Sequence, residues 1–93
     1  MPYPFLDNFM GAYLNQDYTL SGDTIEEIVE TFRSANPVSA IHGLREDAAR
    51  YRRDHADTLG RDFAAVYETE IDLSGFGHDA ASFLDLLVRR LAT

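Results

Sequence analysis

Cysteine is absent from this 93-residue chain, which excludes a disulfide framework, thiolate metal ligands and a cysteine nucleophile. Without a sign of an oxidising compartment, the cytosol is the expected location. Lysine is absent as well, the basic residues all being arginine, so Schiff-base chemistry and the lysine of a phosphate loop are excluded. No segment approaches the roughly 20 apolar residues that cross a bilayer. Met1-Pro2-Tyr3-Pro4-Phe5 lacks a basic stretch followed by an apolar run, so neither a targeting segment nor a membrane anchor is expected. Positive charge is also scarce: sixteen carboxylates leave a formal net charge of −8. Such a field repels nucleic acid and anionic membranes, so neither is an expected partner, and a charged partner should be basic. The plainer reading of the acidity is that it keeps the protein in solution.

What the chain does have is helical periodicity. With 45% hydrophobic residues, residues 1–93 suffice for one domain around one core. Phe5, Phe9, Met10, Ala12 and Tyr13 follow one face of a short helix between Pro4 and Leu14, entered through prolines. Asn15-Gln16-Asp17-Tyr18 breaks that period, and Ser21-Gly22-Asp23 supplies turn chemistry. Asp23 followed three residues later by Glu26 has the form of a capping box, which places the start of a second helix near Thr24. Its apolar stripe is Ile25, Ile28, Val29 and Phe32, with Glu26, Glu27 and Glu30 mainly on the opposite face, and Asn36-Pro37 ends it.

Pro37 suits the first position of a long third helix, in which Val38, Ile41, Leu44, Ala48 and Tyr51 recur at helical steps as far as Arg53 or beyond. Arg45, Arg50, Arg52 and Arg53 gather in its C-terminal half, where they complement the helix dipole. A shorter fourth helix is expected over Ala56 to Val66, carrying Leu59, Phe63, Ala64 and Val66 and weakest at Gly60. Tyr67, Thr69, Ile71 and Leu73 then alternate with Glu68, Glu70 and Asp72, the period of an extended stretch with one wet face and no obvious partner strand. After Gly75-Phe76-Gly77, His78 or Asp79 can cap a final helix bearing Ala80, Phe83, Leu84, Leu87, Val88 and Leu91. The fold class expected is therefore mainly all-α, a compact bundle of four to five helices with one short extended segment near residues 67–73.

Catalytic signatures are missing. His42, His55 and His78 stand apart, and none forms a metal-binding His-x-x-x-His pair; His42 with Glu46 is one turn apart and reads as a surface pair. No Gly-x-Ser-x-Gly surrounds any serine. Gly75-x-Gly77 lacks the third glycine and the βαβ unit of a nucleotide fingerprint. Glu68, Glu70 and Asp72 on one side of an extended segment can attract a hard cation or a basic partner, or merely keep an edge charged. No catalytic residue, cofactor or metal site is expected.

One segment is more specific. Phe9-Met10-Gly11-Ala12-Tyr13-Leu14-Asn15-Gln16-Asp17-Tyr18, followed by the Glu-rich Thr24-Ile25-Glu26-Glu27-Ile28-Val29-Glu30-Thr31-Phe32, resembles the signature of small immunity proteins of bacterial contact-dependent growth inhibition systems. The shared pattern is an aromatic, a Gly-x-Tyr-like group, Gln-Asp, an aromatic and an acidic helix. Tyr18 stands where tryptophan is common, and Asn15 where histidine is common. The resemblance is clearest over residues 3 to 34 and persists loosely through the third and last helices. It implies a non-enzymatic protein in the cytosol of the producing cell that binds the C-terminal toxin domain delivered by a neighbouring cell. Such toxins are often nucleases with basic substrate grooves, which an acidic inhibitor can occupy. Asp23, Glu26, Glu27 and Glu30, with Gln16 and Asp17, are the candidate toxin contacts; Phe9, Gly11, Ala12, Tyr13 and Tyr18, again with Gln16 and Asp17, form the signature and are expected to be structural. Two other readings stay open: an acidic helical adaptor or regulatory protein, and a small hydrolase using carboxylates.

Overall fold

A computed structural model describes residues 3–15, 18–20, 22–68 and 71–92. Among the described residues five α-helices follow one another: α1 (Pro4–Ala12), α2 (Ile25–Ala35), α3 (Val38–Asp54), α4 (Leu59–Tyr67) and α5 (Ala80–Arg90), with single 3-10 turns at Tyr18–Leu20, Ala56–Thr58 and Leu73–Phe76. The all-α bundle expected from the periodicity is the fold observed. The long α3 is its spine, packing against α1 and α5, while α4 lies on α5.

Each helix start has its own chemistry. Thr24 is the N-cap of α2: its hydroxyl accepts from the Glu27 amide at 3.1 Å, while the Glu27 carboxylate reaches back to the Asp23 amide at 2.8 Å. The capping pair is therefore Thr24 with Glu27, one residue later than the expected Asp23 with Glu26. Pro37 likewise occupies the N-cap of α3 rather than its first helical position. Of the two residues expected to cap α5, Asp79 does so, in a reciprocal capping box with Ser82. Gly77 closes the preceding 3-10 turn at φ 78°, a left-handed conformation that suits a residue without Cβ.

The helix α1 has no capping side chain of its own. Instead Asp47, in the middle of α3 and 4% exposed, accepts the amides of Phe5 (2.8 Å) and Leu6 (3.1 Å). Four amides at a helix start lack intrahelical partners, and here a carboxylate from another helix supplies the missing acceptor where the dipole favours negative charge. This tether sets the rotation of α1. Leu6, Phe9 and Met10 face inward, whereas Phe5 and Ala12, both expected on the apolar face, are exposed. The Phe5 ring lies across Gly43 of α3, where an added Cβ would come within 2.5 Å of it.

The core is a continuous cluster centred on Phe9, Phe32, Phe63 and Phe83. Phe9 meets Phe32 edge-on at 5.4 Å and stacks near Phe83 at 6.5 Å; Phe63 meets Phe83 at 5.8 Å. At the surface, Arg52 pairs with Asp85 at 2.9 Å and Arg45 donates to the Val88 carbonyl, both joining α3 to α5.

The extended segment proposed near residues 67–73 takes another form. Tyr67 is the last residue of α4, and no strand occurs among the described residues. Glu68 folds back to accept the Leu73 amide at 2.9 Å, and Ile71 and Leu73 are buried. Two apolar side chains of a loop, inserted into the core two positions apart, reproduce the spacing of a strand. Thr69 and Glu70 lie outside the described residues.

Candidate functional site

Among the residues singled out as toxin contacts, those on α2 share one surface. Asp23, Glu27 and Glu30 are exposed and Glu26 is half-buried. Their chemistry is unequal. Glu27 is engaged at the helix start, and Glu30 lies 3.5 Å from Arg33 in a loose pair. Asp23 and Glu26 carry no such ion pair among the described residues. Gln16 and Asp17 lie outside the described residues, and so does the side chain of Tyr18.

The other signature residues lock α1 to α2. Tyr13 stacks on Phe9 at 5.6 Å, and both rings meet Phe32 at 5.4 Å. Asn36, just past α2, donates to the Tyr13 hydroxyl and to the Phe32 carbonyl, so the end of α2 is tied to the end of α1. Asn15 donates to the Gly11 carbonyl at 2.8 Å, closing the last turn of α1. Gly11 and Ala12 are exposed, and a Cβ at Gly11 would meet nothing within 4 Å.

A second surface lies where α1, α3 and α4 converge, and no sequence spacing announced it. A groove of about 520 Å³ is lined by Tyr3, Asp7, Tyr51, His55, Asp62 and Tyr67, together with Ala65 and Val66. It continues past Val66 and Tyr67 into a smaller hollow of about 260 Å³ beside Met10, Gly11 and Leu14. Tyr51 forms the floor: it is 3% exposed, its ring stacks on His55 at 4.1 Å and meets Phe63 and Tyr67 edge-on at 5.8 Å. Its hydroxyl is buried without a hydrogen-bond partner among the described residues. Burial, with Asp62, Tyr3 and Asp7 nearby, pushes its pKa up to about 12, so it is a neutral phenol at physiological pH.

The walls are held by hydrogen bonds between helices. Tyr67 donates to Asp7 in a short hydrogen bond that ties the end of α4 to α1. Burial, followed by that bond, raises the Tyr67 pKa above the ordinary phenol range. Tyr3 donates to Asp54 at 2.8 Å, and the Arg50 guanidinium sits 4.8 Å over the Tyr3 ring while pairing with Asp47 at 3.3 Å. At the other end, Asp62 accepts from Thr58 at 2.6 Å and lies 2.8 Å from His55 Nδ1. A carboxylate can only accept, so Nδ1 carries the proton. These contacts, the Thr58 hydroxyl foremost, hold the Asp62 carboxyl down to about 2. The remaining carboxylate chemistry expected near residues 68–72 is local: Asp72 accepts from the Ser74 amide and hydroxyl. Among the described residues no cluster of three or more histidine, aspartate and glutamate side chains is disposed to hold a metal ion.

The molecule thus presents two acidic surfaces, one on a single helix and one at a three-helix junction. A family model described as CdiI immunity protein matches residues 2–91. The chain belongs to that family. The match takes in the signature, α2 and the helical core, and includes the stretch between the third and last helices. Neither curated proteins nor solved structures give a significant match. A family of immunity proteins is one of toxin-neutralising proteins, and both acidic surfaces are candidates for that contact. No helix among the described residues is long and apolar enough to cross a membrane.

Proposed function

We propose that this CdiI immunity protein acts in the cytosol by binding the C-terminal domain of a cognate contact-dependent growth inhibition toxin and covering a basic surface on it. The family match over residues 2–91 carries the reading. Charge supports the choice of surface: a chain of net −8 meets a phosphate-binding groove, such as that of a nuclease, with complementary potential. Inhibition here is steric and non-enzymatic. Asp23, just ahead of α2, and Glu26, Glu27 and Glu30 on it form the first contact, and Gln16 and Asp17 are proposed as further contacts. A standard interface takes about 800 Å² from each partner, a modest share of the 5158 Å² surface.

Co-expression with the cognate toxin domain, sought among the genes neighbouring this one, tests the proposal. The expected result is restored growth and a complex that co-purifies in equal amounts. Continued killing, with both proteins present and folded, would overturn it.

A further inference from the structure

The acidity of α2 accounts for attraction but not for tight binding, which requires anchors in desolvated pockets. The groove between α1, α3 and α4 has the features of an anchor site. Val66, 59% exposed on its rim, is an apolar side chain facing solvent. Asp7 uses one carboxylate oxygen for Tyr67 and has no partner for the other among the described residues. At the floor, Tyr51 buries a hydroxyl that has no partner among the described residues. An unpaired buried hydroxyl costs about 1–3 kcal/mol, a cost that an incoming polar group can relieve.

The local charge specifies what that group is. Arg50 pairs with Asp47 and Arg61 with Asp62, whereas Asp7, which lines the groove, has no ion pair among the described residues. The Tyr3 ring on the wall already receives a cation, the Arg50 guanidinium, on its face. The volume of about 520 Å³ lies in the range of sites that enclose a compact ligand.

We infer that the groove bounded by Tyr3, Asp7, Tyr51, Asp62, Val66 and Tyr67 receives a basic side chain of the toxin, arginine or lysine, whose cation seats against Asp7 while its aliphatic stem covers Val66. This rests on the toxin-binding reading above and makes α1 and α4, rather than α2 alone, the tight part of the interface. The incoming N–H groups meet the free Asp7 oxygen as acceptor.

The test uses the full chain and the purified cognate toxin domain, with amide hydrogen exchange and binding kinetics as readouts. Complex formation should slow exchange in residues 59–67 and 7–12 as well as in α2. Val66→Arg, on an exposed position, should weaken binding roughly a hundredfold, chiefly through faster dissociation. Asp7→Asn, which retains an oxygen for Tyr67, should weaken it roughly tenfold, and the deficit should shrink as salt rises. Circular dichroism melts verify that both variants are folded, and the asparagine variant carries the test if the arginine variant is not. Protection confined to α2, or unchanged affinity of the folded variants, would overturn the groove and leave the immunity reading standing. Absence of any complex would overturn both.

Discussion

On α2, acidic side chains answer groups in their own stretch of chain: Glu27 reaches four residues back to the Asp23 amide, and Glu30 three residues forward to Arg33. Around α3, carboxylates answer groups far away in sequence: Asp47 holds the start of α1, Asp54 holds Tyr3 and Asp7 holds Tyr67. Both regions are acidic, but in the first Glu26 and Glu30 can be recharged without loosening the fold, whereas the second is part of what joins the helices. Acidity at the surface and acidity in the architecture are therefore separable in this molecule. A toxin can use the first for approach and the second, through the groove it frames, for purchase.

Mutation at Asp47 should break this contrast most visibly. Asp47→Ala strands two amides at the start of α1 and removes the partner of Arg50, and should lower the unfolding free energy by about 3 kcal/mol in a urea titration. Tyr67→Phe, which deletes the bond between α4 and α1, should cost about 1 kcal/mol in the same experiment. Thr24→Ala removes a cap that is purely local and should also cost about 1 kcal/mol, with its loss confined to faster exchange in the first turn of α2.

Acid should act on the junction next. Asp62 has its pKa lowered from 3.8 to about 2 by Thr58 and His55, so the unfolded chain binds the proton more readily. Its contribution is complete above about pH 4 and is lost as pH falls through the folded value. Denaturation midpoints measured across that window should fall for the native chain and fall less steeply for Asp62→Asn. The smallest effect on stability is expected from Glu26→Lys with Glu30→Lys, within about 0.5 kcal/mol, because these groups sit on the surface. That double variant should nevertheless slow toxin association at low salt, and stopped-flow rates that do not change would remove α2 from the encounter surface. Glu27 is left out of the reversal because it also serves the helix start.

The stripe of α2 was legible because its buried residues follow a 3.6-residue period, and those of α3 and α5 largely so: Val38, expected on the α3 stripe, is exposed at the helix start, and Leu86 is buried beside the α5 stripe. The face of α1 was misread by one position, Phe5 in place of Leu6, since its rotation is fixed by Asp47 rather than by its own pattern. The spacing from Tyr67 to Leu73 imitated a strand because Ile71 and Leu73 enter the core from a loop. Asp23 and Glu26 have the right residue types for a capping box, but the chain turns one residue later, at Thr24. The acids of α2 could be found from composition. The groove could not: Asp7, Tyr51, Asp62 and Tyr67 belong to three helices, and only packing brings them together. Tyr51 had been legible as part of a core stripe, yet nothing local distinguishes a buried tyrosine with a partner from one without.

The reach of Asp47 also bears on how the chain assembles. The amide of Phe5 finds its acceptor 42 residues further along, so on the ribosome α1 is made well before anything exists to hold its leading end. A helix of nine residues is too short to persist alone in water. The N-terminal segment, signature included, must therefore wait as fluctuating chain until α3 has emerged, and the surface on which α1 and α4 meet is completed only after Tyr67 follows. The junction of α1, α3 and α4 therefore forms only after all three helices have been made.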